Sequence, residues 1–360
     1  MNIFIVETPM ELVSAIEARH HFPEEESILF IHSFYPKTIF LSLLEKDNWT
    51  VRTVFYQDKP VDWSNPQQTK REQFRLRMTL GKIIRIAGDA NYLFINYFRA
   101  HMRHVINHLK HRNLILIEGG TDAIGTNALR YIPMTQEMGS RKLSWWRLVK
   151  RYFRKRYFDL DTLEVPSVTF FSAYDLEVRP GDRLIKNDYR YIKQWAGHQC
   201  KSDEVYFLGQ PLSEDGYMDR ECFFTYMGQI RDYLGAENII FLPHPRQSKE
   251  IVCELEKKFG FQVRKFTLPI EFQMLLGNEI PKALTGLWSS ALINCNTFFG
   301  DNLPIKAFYL EPHDLLIKHE YVEDVYKYMQ KISCQTFDVV KLRTVFNDDN
   351  TRTKKIIQQQ

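Results

Sequence analysis

His244 is held between two prolines in Leu242-Pro243-His244-Pro245-Arg246. Each proline fixes its own φ and pushes the residue before it toward extended geometry, so the imidazole sits on a stiff loop. Just upstream, Asn238-Ile239-Ile240-Phe241 is a short apolar run, the pattern of a strand buried on both faces. Just downstream, Ser248 and the run from Lys249 to Phe259 predict a helix and its start. Open α/β sheets bind ligands between the end of such a strand and the next helix. There His244, with Arg246 as a second positive partner, could hold an anion. The plainer reading is a loop histidine that only caps the following helix.

A second anion-binding pattern lies further on. Pro281 to Gly286 reads as a strand, and Leu287-Trp288-Ser289-Ser290-Ala291-Leu292 opens a helix after the glycine. Paired hydroxyls, free backbone N–H groups and the helix dipole converge at such a point, which suits a phosphate. An ordinary N-cap serine is the alternative. Two acids follow strands in the same manner. Asn113 to Ile117 ends on Glu118-Gly119-Gly120-Thr121-Asp122, where the glycines permit close approach of a ligand or another backbone. Val205 to Leu208 is stopped by Gly209-Gln210-Pro211 and followed by Glu214-Asp215-Gly216. Either carboxylate could take a proton, and either could be a solvated acid on a turn.

The elements that position these residues alternate. Ile3 to Val6 is a strand, and Thr8 as N-cap with Pro9 begins a helix from Met10 to His20. Strands are predicted at 27–32, 51–56, 92–95, 113–117 and 165–171, with helices at 36–44, 70–86 and 98–110 between them. After a mixed polar connection over 179–196, the pattern resumes with strands at 205–208, 238–242, 262–264 and 281–286. Helices are predicted there at 219–234, 249–259, 270–276 and 322–331. Such alternation means parallel βαβ units and an α/β fold. The 360 residues suffice for two domains. The division predicted is 1–175, a connection over 176–205, 206–345, and a polar tail over 346–360.

Composition excludes several classes. The five cysteines, Cys200, Cys222, Cys253, Cys295 and Cys334, form no C-x-x-C pair, which points to a reducing cytoplasm rather than a disulfide framework or a zinc site. Met1-Asn2-Ile3 enters a strand pattern directly, so no signal peptide is expected, and no apolar run is long enough to span a bilayer. The formal net charge of +4 argues against a nucleic-acid binder. One stretch stands apart. Residues 141–157 interleave Arg147, Lys150, Arg151, Arg154, Lys155 and Arg156 with Trp145, Trp146, Leu148, Val149 and Tyr152. It reads as a membrane-surface segment, as a nucleic-acid contact, or as a helix packed on its own domain. Asp159-Leu160-Asp161 has the D-x-D pattern of metal-dependent sugar transferases but follows no clean strand, and is taken as accidental.

There is no G-x-G-x-x-G and no Walker A sequence. Instead, an ordered set of features resembles the bacterial sialyltransferases of glycosyltransferase family 52, the lipooligosaccharide type, with more distant kinship to families 80 and 38. The set comprises the entry segment Glu7-Thr8-Pro9-Met10-Glu11-Leu12, the acidic-glycine motif, His244-Pro245 and Ser289-Ser290. The likeness runs from the first strand to about residue 300.

The resemblance implies a GT-B architecture, two Rossmann-like domains with parallel sheets facing a cleft. It also implies an inverting, metal-independent transfer from a CMP-sialic acid donor, with no cofactor. By motif, His244, Ser289 and Ser290 would hold the CMP phosphate, with Arg246 added on charge and Gly119, Gly209 and Gly286 supporting the loops. The general base stays open between Glu118, favoured by its place in the acceptor half, and Asp215, favoured by the fuller Glu214-Asp215-Gly216 pattern. Expected partners are the CMP-sugar donor, a glycan or glycolipid acceptor ending in galactose, and the inner face of the cell membrane, touched through Trp145, Trp146, Arg151, Arg154, Lys155 and Arg156. A homodimer is compatible with these expectations. The rival readings are a GT-B transferase of capsule or lipopolysaccharide synthesis using another nucleotide sugar, such as CMP-Kdo, and a non-catalytic glycolipid-binding protein.

Overall fold

The computed structural model describes residues 1–22, 26–47, 49, 52–57, 66–96, 100–119, 167–235 and 237–342. The stretch 120–122, the basic aromatic segment 141–157, Asp159-Leu160-Asp161 and the tail 346–360 lie outside them. The chain forms two compact units, Met1–Gly197 and His198–Gln360.

The first unit begins with β1 (Asn2–Val6), whose Ile3, Phe4, Ile5 and Val6 are fully buried. Helix α1 (Pro9–His21) starts where the sequence predicts. The Thr8 side chain accepts from the Glu11 N–H at 3.2 Å, and Pro9 occupies the first turn. There follow β2 (Ser27–Ser33), α2 (Lys37–Asp47), β3 (Arg52–Gln57), α3 (Pro66–Ala87), β4 (Ala90–Ile95), α4 (Ala100–His108), β5 (His111–Ile117), β6 (Thr169–Ser172) and β7 (Arg183–Lys186). The strands form one sheet in the order β3-β2-β1-β4-β5-β6-β7, with every pair parallel. The strand order reverses between β1 and β4, where Phe4 stacks on Phe94 with ring centroids 4.2 Å apart.

The polar connection expected over 179–196 holds more structure than its composition suggests. It contains β7 and a short helix, α5 (Arg190–Trp195). Neither is strongly apolar. Strand β7 is held by its parallel pairing with β6, and α5 is tied down by α1, whose Glu17 carboxylate accepts from the Tyr191 and Ile192 N–H groups and whose Ser14 hydroxyl lies 2.7 Å from the Tyr189 hydroxyl. An acid from another helix thus serves as the N-terminal cap of α5.

The second unit contains β8 (Cys200–Lys201), β9 (Glu204–Leu208), α6 (Arg220–Leu234), β10 (Asn238–Leu242), α7 (Lys249–Phe259), β11 (Gln262–Val263), α8 (Ile270–Leu276), β12 (Glu279–Ile280) and β13 (Ala283–Gly286). It is completed by α9 (Ser290–Phe299), β14 (Ile305–Tyr309), α10 (His319–Lys331) and β15 (Phe337–Lys341). Six strands form a parallel sheet in the order β11-β10-β9-β13-β14-β15, and β8 pairs with β12 apart from it. Counted from β9, this is the order 3-2-1-4-5-6 of a doubly wound nucleotide-binding sheet, with its switch point between β9 and β13. The core is aromatic, with the Phe207 ring stacked 5.8 Å from Phe241 and 6.4 Å from Phe308. The two Rossmann-like parallel units of the GT-B class are therefore present.

Candidate active site

The carboxyl edge of the second sheet gathers the predicted anion-binding residues. Strand β9 ends at Gly209, where a Cβ would stand 2.5 Å from the Gln247 side-chain oxygen and 2.7 Å from the Phe241 ring. Only glycine lets Gln247 come this close. Gln247 in turn accepts from the His244 N–H at 3.3 Å and donates to the Gln210 carbonyl at 3.4 Å. The backbone of the Pro-His-Pro loop is thus pinned to the end of the neighbouring strand.

His244 is half-buried, and its Nδ1 accepts from the Arg246 backbone N–H at 3.1 Å. In the neutral ring that bond leaves the proton on Nε2, which becomes the donor available to a ligand. Burial and then the nearby Arg246 charge hold the imidazole pKa below its ordinary value. Arg246 is exposed and donates to Asp215 at 2.7 Å. Glu214 accepts from the Ser248 N–H at 2.7 Å, and the Ser248 side chain accepts from Ile251 to cap α7. The acidic-glycine loop after β9 and the His-Pro loop after β10 therefore form one hydrogen-bonded body.

Strand β13 lies directly beside β9, and a Cβ on Gly286 would come within 3.2 Å of the Leu208 Cβ. This packing brings the end of β13 to the switch point. Ser289 caps α9, accepting from the Ala291 N–H at 3.3 Å, and Ser290 is exposed at the first helical position. A capping serine uses an oxygen lone pair, so its hydroxyl proton remains for an anion. The N-cap role and the phosphate role are compatible. Sequence reasoning did not single out Gln247, Tyr217 or Lys318. Tyr217 lies 5.4 Å from the Trp288 ring, and Lys318, in a left-handed backbone conformation, donates to the Tyr217 hydroxyl at 3.0 Å. No motif marks them, because the partners are 101 residues apart.

The carboxyl edge of the first sheet carries acids. Glu118, just past β5, is 2% exposed. Its Oε2 accepts from the Ser172 hydroxyl at 2.6 Å and the Ala173 N–H at 2.9 Å. Burial raises its pKa, only partly offset by those bonds. The reading of a solvated acid on a turn does not hold for Glu118, since its carboxyl is enclosed. Beside it, a Cβ on Gly119 would meet the Asn96 amide at 2.7 Å and Glu11 Cγ at 3.1 Å. Glu11 is 1% exposed, accepts from Asn96 at 2.8 Å and from the Glu7 N–H at 2.6 Å, and burial pushes its pKa up to about 8. His32 Nδ1 lies 3.6 Å from Glu7 Oε1. Thr8-Pro9-Met10-Glu11 has the T-x-x-E spacing of a capping box, a signal that reveals Glu11 as a helix-start residue but not its burial.

Residues 2–304 match the alpha-2,8-polysialyltransferase (POLYST) family. The chain belongs to that family. As a member it is a glycosyltransferase of sialyltransferase kind. No curated protein matches the chain. Among solved structures, Methanocaldococcus jannaschii UDP-GlcNAc 2-epimerase with UDP-GlcNAc and UDP is 12% identical, with 95% of this chain and 89% of that one covered and a TM-score of 0.48. The E. coli heptosyltransferase WaaC with ADP-2-deoxy-2-fluoro heptose is 11% identical, with 92% and 100% covered and a TM-score of 0.43. A UDP-glucosyltransferase from Polygonum tinctorium is 10% identical, with 85% and 79% covered and a TM-score of 0.43. Among the described residues, no group of three or more His, Cys, Asp or Glu side chains is placed to hold a metal ion.

Proposed function

We propose that this polysialyltransferase-family member transfers sialic acid from CMP-sialic acid, with inversion and without a metal, to the terminal sugar of a bacterial surface glycan. The observation that carries the proposal is the carboxyl edge of the second sheet, where His244, Arg246, Ser289 and Ser290 all follow strands of one nucleotide-binding order. The leaving group is the CMP phosphate. As the bond from the sugar's anomeric carbon to the phosphate oxygen breaks, the electron pair stays on that oxygen. The Nε2–H of His244, the Arg246 guanidinium, the two serine hydroxyls and the N-terminus of α9 would then stabilise it.

The acceptor hydroxyl loses its proton as its oxygen bonds to the anomeric carbon. Asp215 is engaged by Arg246 at 2.7 Å, within the phosphate cluster itself, so its role is to set the guanidinium. That leaves Glu118 as the base candidate, and to act it must exchange its bonds to Ser172 and Ala173 for one to the acceptor hydroxyl. A buried carboxyl with a raised pKa retains a proton better than a solvated one, as a base acting near neutral pH requires. The family description favours a sialic acid terminus on the acceptor, beside the galactose terminus expected from the sequence. The acceptor is placed on the cytoplasmic face of a membrane, with residues 141–157 as one contact.

The test is a donor screen by mass spectrometry with excess EDTA present, using galactoside and sialoside acceptors. CMP-sialic acid alone is expected to be consumed. Turnover of CMP-Kdo or a UDP-sugar in its place would overturn the donor assignment, and activity restored only by manganese would overturn the metal-independent chemistry.

A further inference from the structure

Helix α3 is the longest among the described residues, and its two faces differ. Leu80, Ile83 and Ala87 are 1%, 0% and 0% exposed, at spacings of three and four residues, and define the buried face. Outward stand Phe74 and Met78, 60% and 53% exposed, followed by exposed Lys82 and Arg85 along the same stripe. Residues 74–87 contain four basic side chains, Arg75, Arg77, Lys82 and Arg85, and no acid. Past the end of the helix the charge is mixed. The Ala90 N–H donates to the Lys110 carbonyl at 2.9 Å, and exposed Asp89 lies 3.9 Å from the Lys110 ammonium, so the cationic stripe is that of α3 itself, with exposed Arg112 beyond it.

Lysines and arginines facing water are ordinary. A phenylalanine and a methionine one turn apart on the same outward stripe are not, because both leave large apolar surfaces in water. A soluble polyanion would satisfy the cations and leave Phe74 and Met78 wet. A bilayer with anionic headgroups satisfies both, taking the apolar side chains between the headgroups and the cations at its surface. We propose that α3 docks this protein on an anionic lipid bilayer, with Phe74 and Met78 inserted and Lys82 and Arg85 among the headgroups. The inference deepens the membrane placement in the proposed function, by a face other than residues 141–157, and is independent of the donor chemistry.

The test is sedimentation of the full chain with phosphatidylglycerol or phosphatidylcholine vesicles, alongside CMP binding by calorimetry and thermal melting. The wild type is expected to sediment with the anionic vesicles only. Phe74→Ser/Met78→Ser and, separately, Lys82→Glu/Arg85→Glu are expected to lower vesicle binding at least about tenfold, with CMP affinity and melting unchanged. The proposal is overturned if the wild type ignores anionic vesicles or if either pair of substitutions leaves binding intact. It is also overturned if binding depends only on residues 141–157, so that Arg151, Arg154, Lys155 and Arg156 changed to Ser abolish it while the α3 variants do not. Vesicle binding without CMP binding would support the docking face while removing the donor reading.

Discussion

At the carboxyl edge of the first sheet, Glu11 and Glu118 are enclosed and their pKa values are raised by burial. At the carboxyl edge of the second, His244 is half-buried, Arg246 is exposed, and α9 presents Ser290 to solvent. Both sheets reverse strand order beside their first strand, β1 in one and β9 in the other. The same topology thus hosts two kinds of chemistry. One edge withholds water from acids and strengthens their hold on protons. The other leaves cations and hydroxyls open, as an incoming anion requires. Strand order fixes where a ligand site can form, and the loop residues decide which charge it accepts.

The comparison breaks first at the bases. Glu118→Gln is expected to lower kcat by about 10²–10⁴-fold, the usual contribution of a general base, while Asp215→Asn costs only about tenfold through a misaligned Arg246. Single-turnover kinetics in folded variants check this, and the reverse ranking would move the base to the second unit. On the open edge, His244→Ala is expected to cut turnover by at least ~10²-fold as the departing phosphate loses a donor, with the melting curve unchanged. Near-normal turnover there would remove the imidazole from the site.

Stability tests the enclosed edge. An acid whose pKa is higher folded than unfolded binds its proton more tightly in the folded state, so stability is lost as pH rises between the two values. For Glu11 that window runs from an ordinary glutamate value up to about 8, and buried Glu118 adds in the same direction. Tm is therefore expected to fall from pH 5 to pH 8.5, and the slope to flatten in Glu11→Gln. A wild-type Tm flat across that range would mean that the edge is wetter than its burial indicates. The smallest effect concerns His244. Replacing Arg246 by Gln should raise the imidazole pKa, because the guanidinium lowers it, and replacing Asp215 by Asn should lower it, because the carboxylate raises it. Histidine NMR titration reads both shifts.

Much of this organisation is legible in the residues. Continuous apolar runs mark β1, β9 and β10, and proline, serine and threonine mark the starts of α1, α7 and α9, because those signals are local. Strand β7, with Arg183 and Lys186 at its ends, shows no such run, and it joins the sheet because β6 offers a parallel edge. Strands β14 and β15 carry lysines and were likewise hidden. Lys306 reaches the Tyr233 hydroxyl at 3.0 Å, and β15 is an edge strand. At the sites, residue types gave His244, Arg246 and the serines. The Asp215–Arg246 pairing and the enclosure of Glu118 by Ser172 and Ala173 join residues 31 and about 54 positions apart, which no spacing rule encodes.

The tie between α1 and α5 sets an order of events during synthesis. Ser14 and Glu17 emerge from the ribosome early, yet the groups that engage them, the Tyr189 hydroxyl and the N–H groups of Tyr191 and Ile192, are made some 174 residues later. Until then Ser14 and Glu17 lack these partners, and the sheet ends at an edge that β6 and β7 have yet to cover. A nascent chain halted with residues 189–192 still inside the ribosome should therefore be readily cut by protease near α1, and one halted after the whole unit to Gly197 has emerged should resist, since domains tend to fold as units while they are being made.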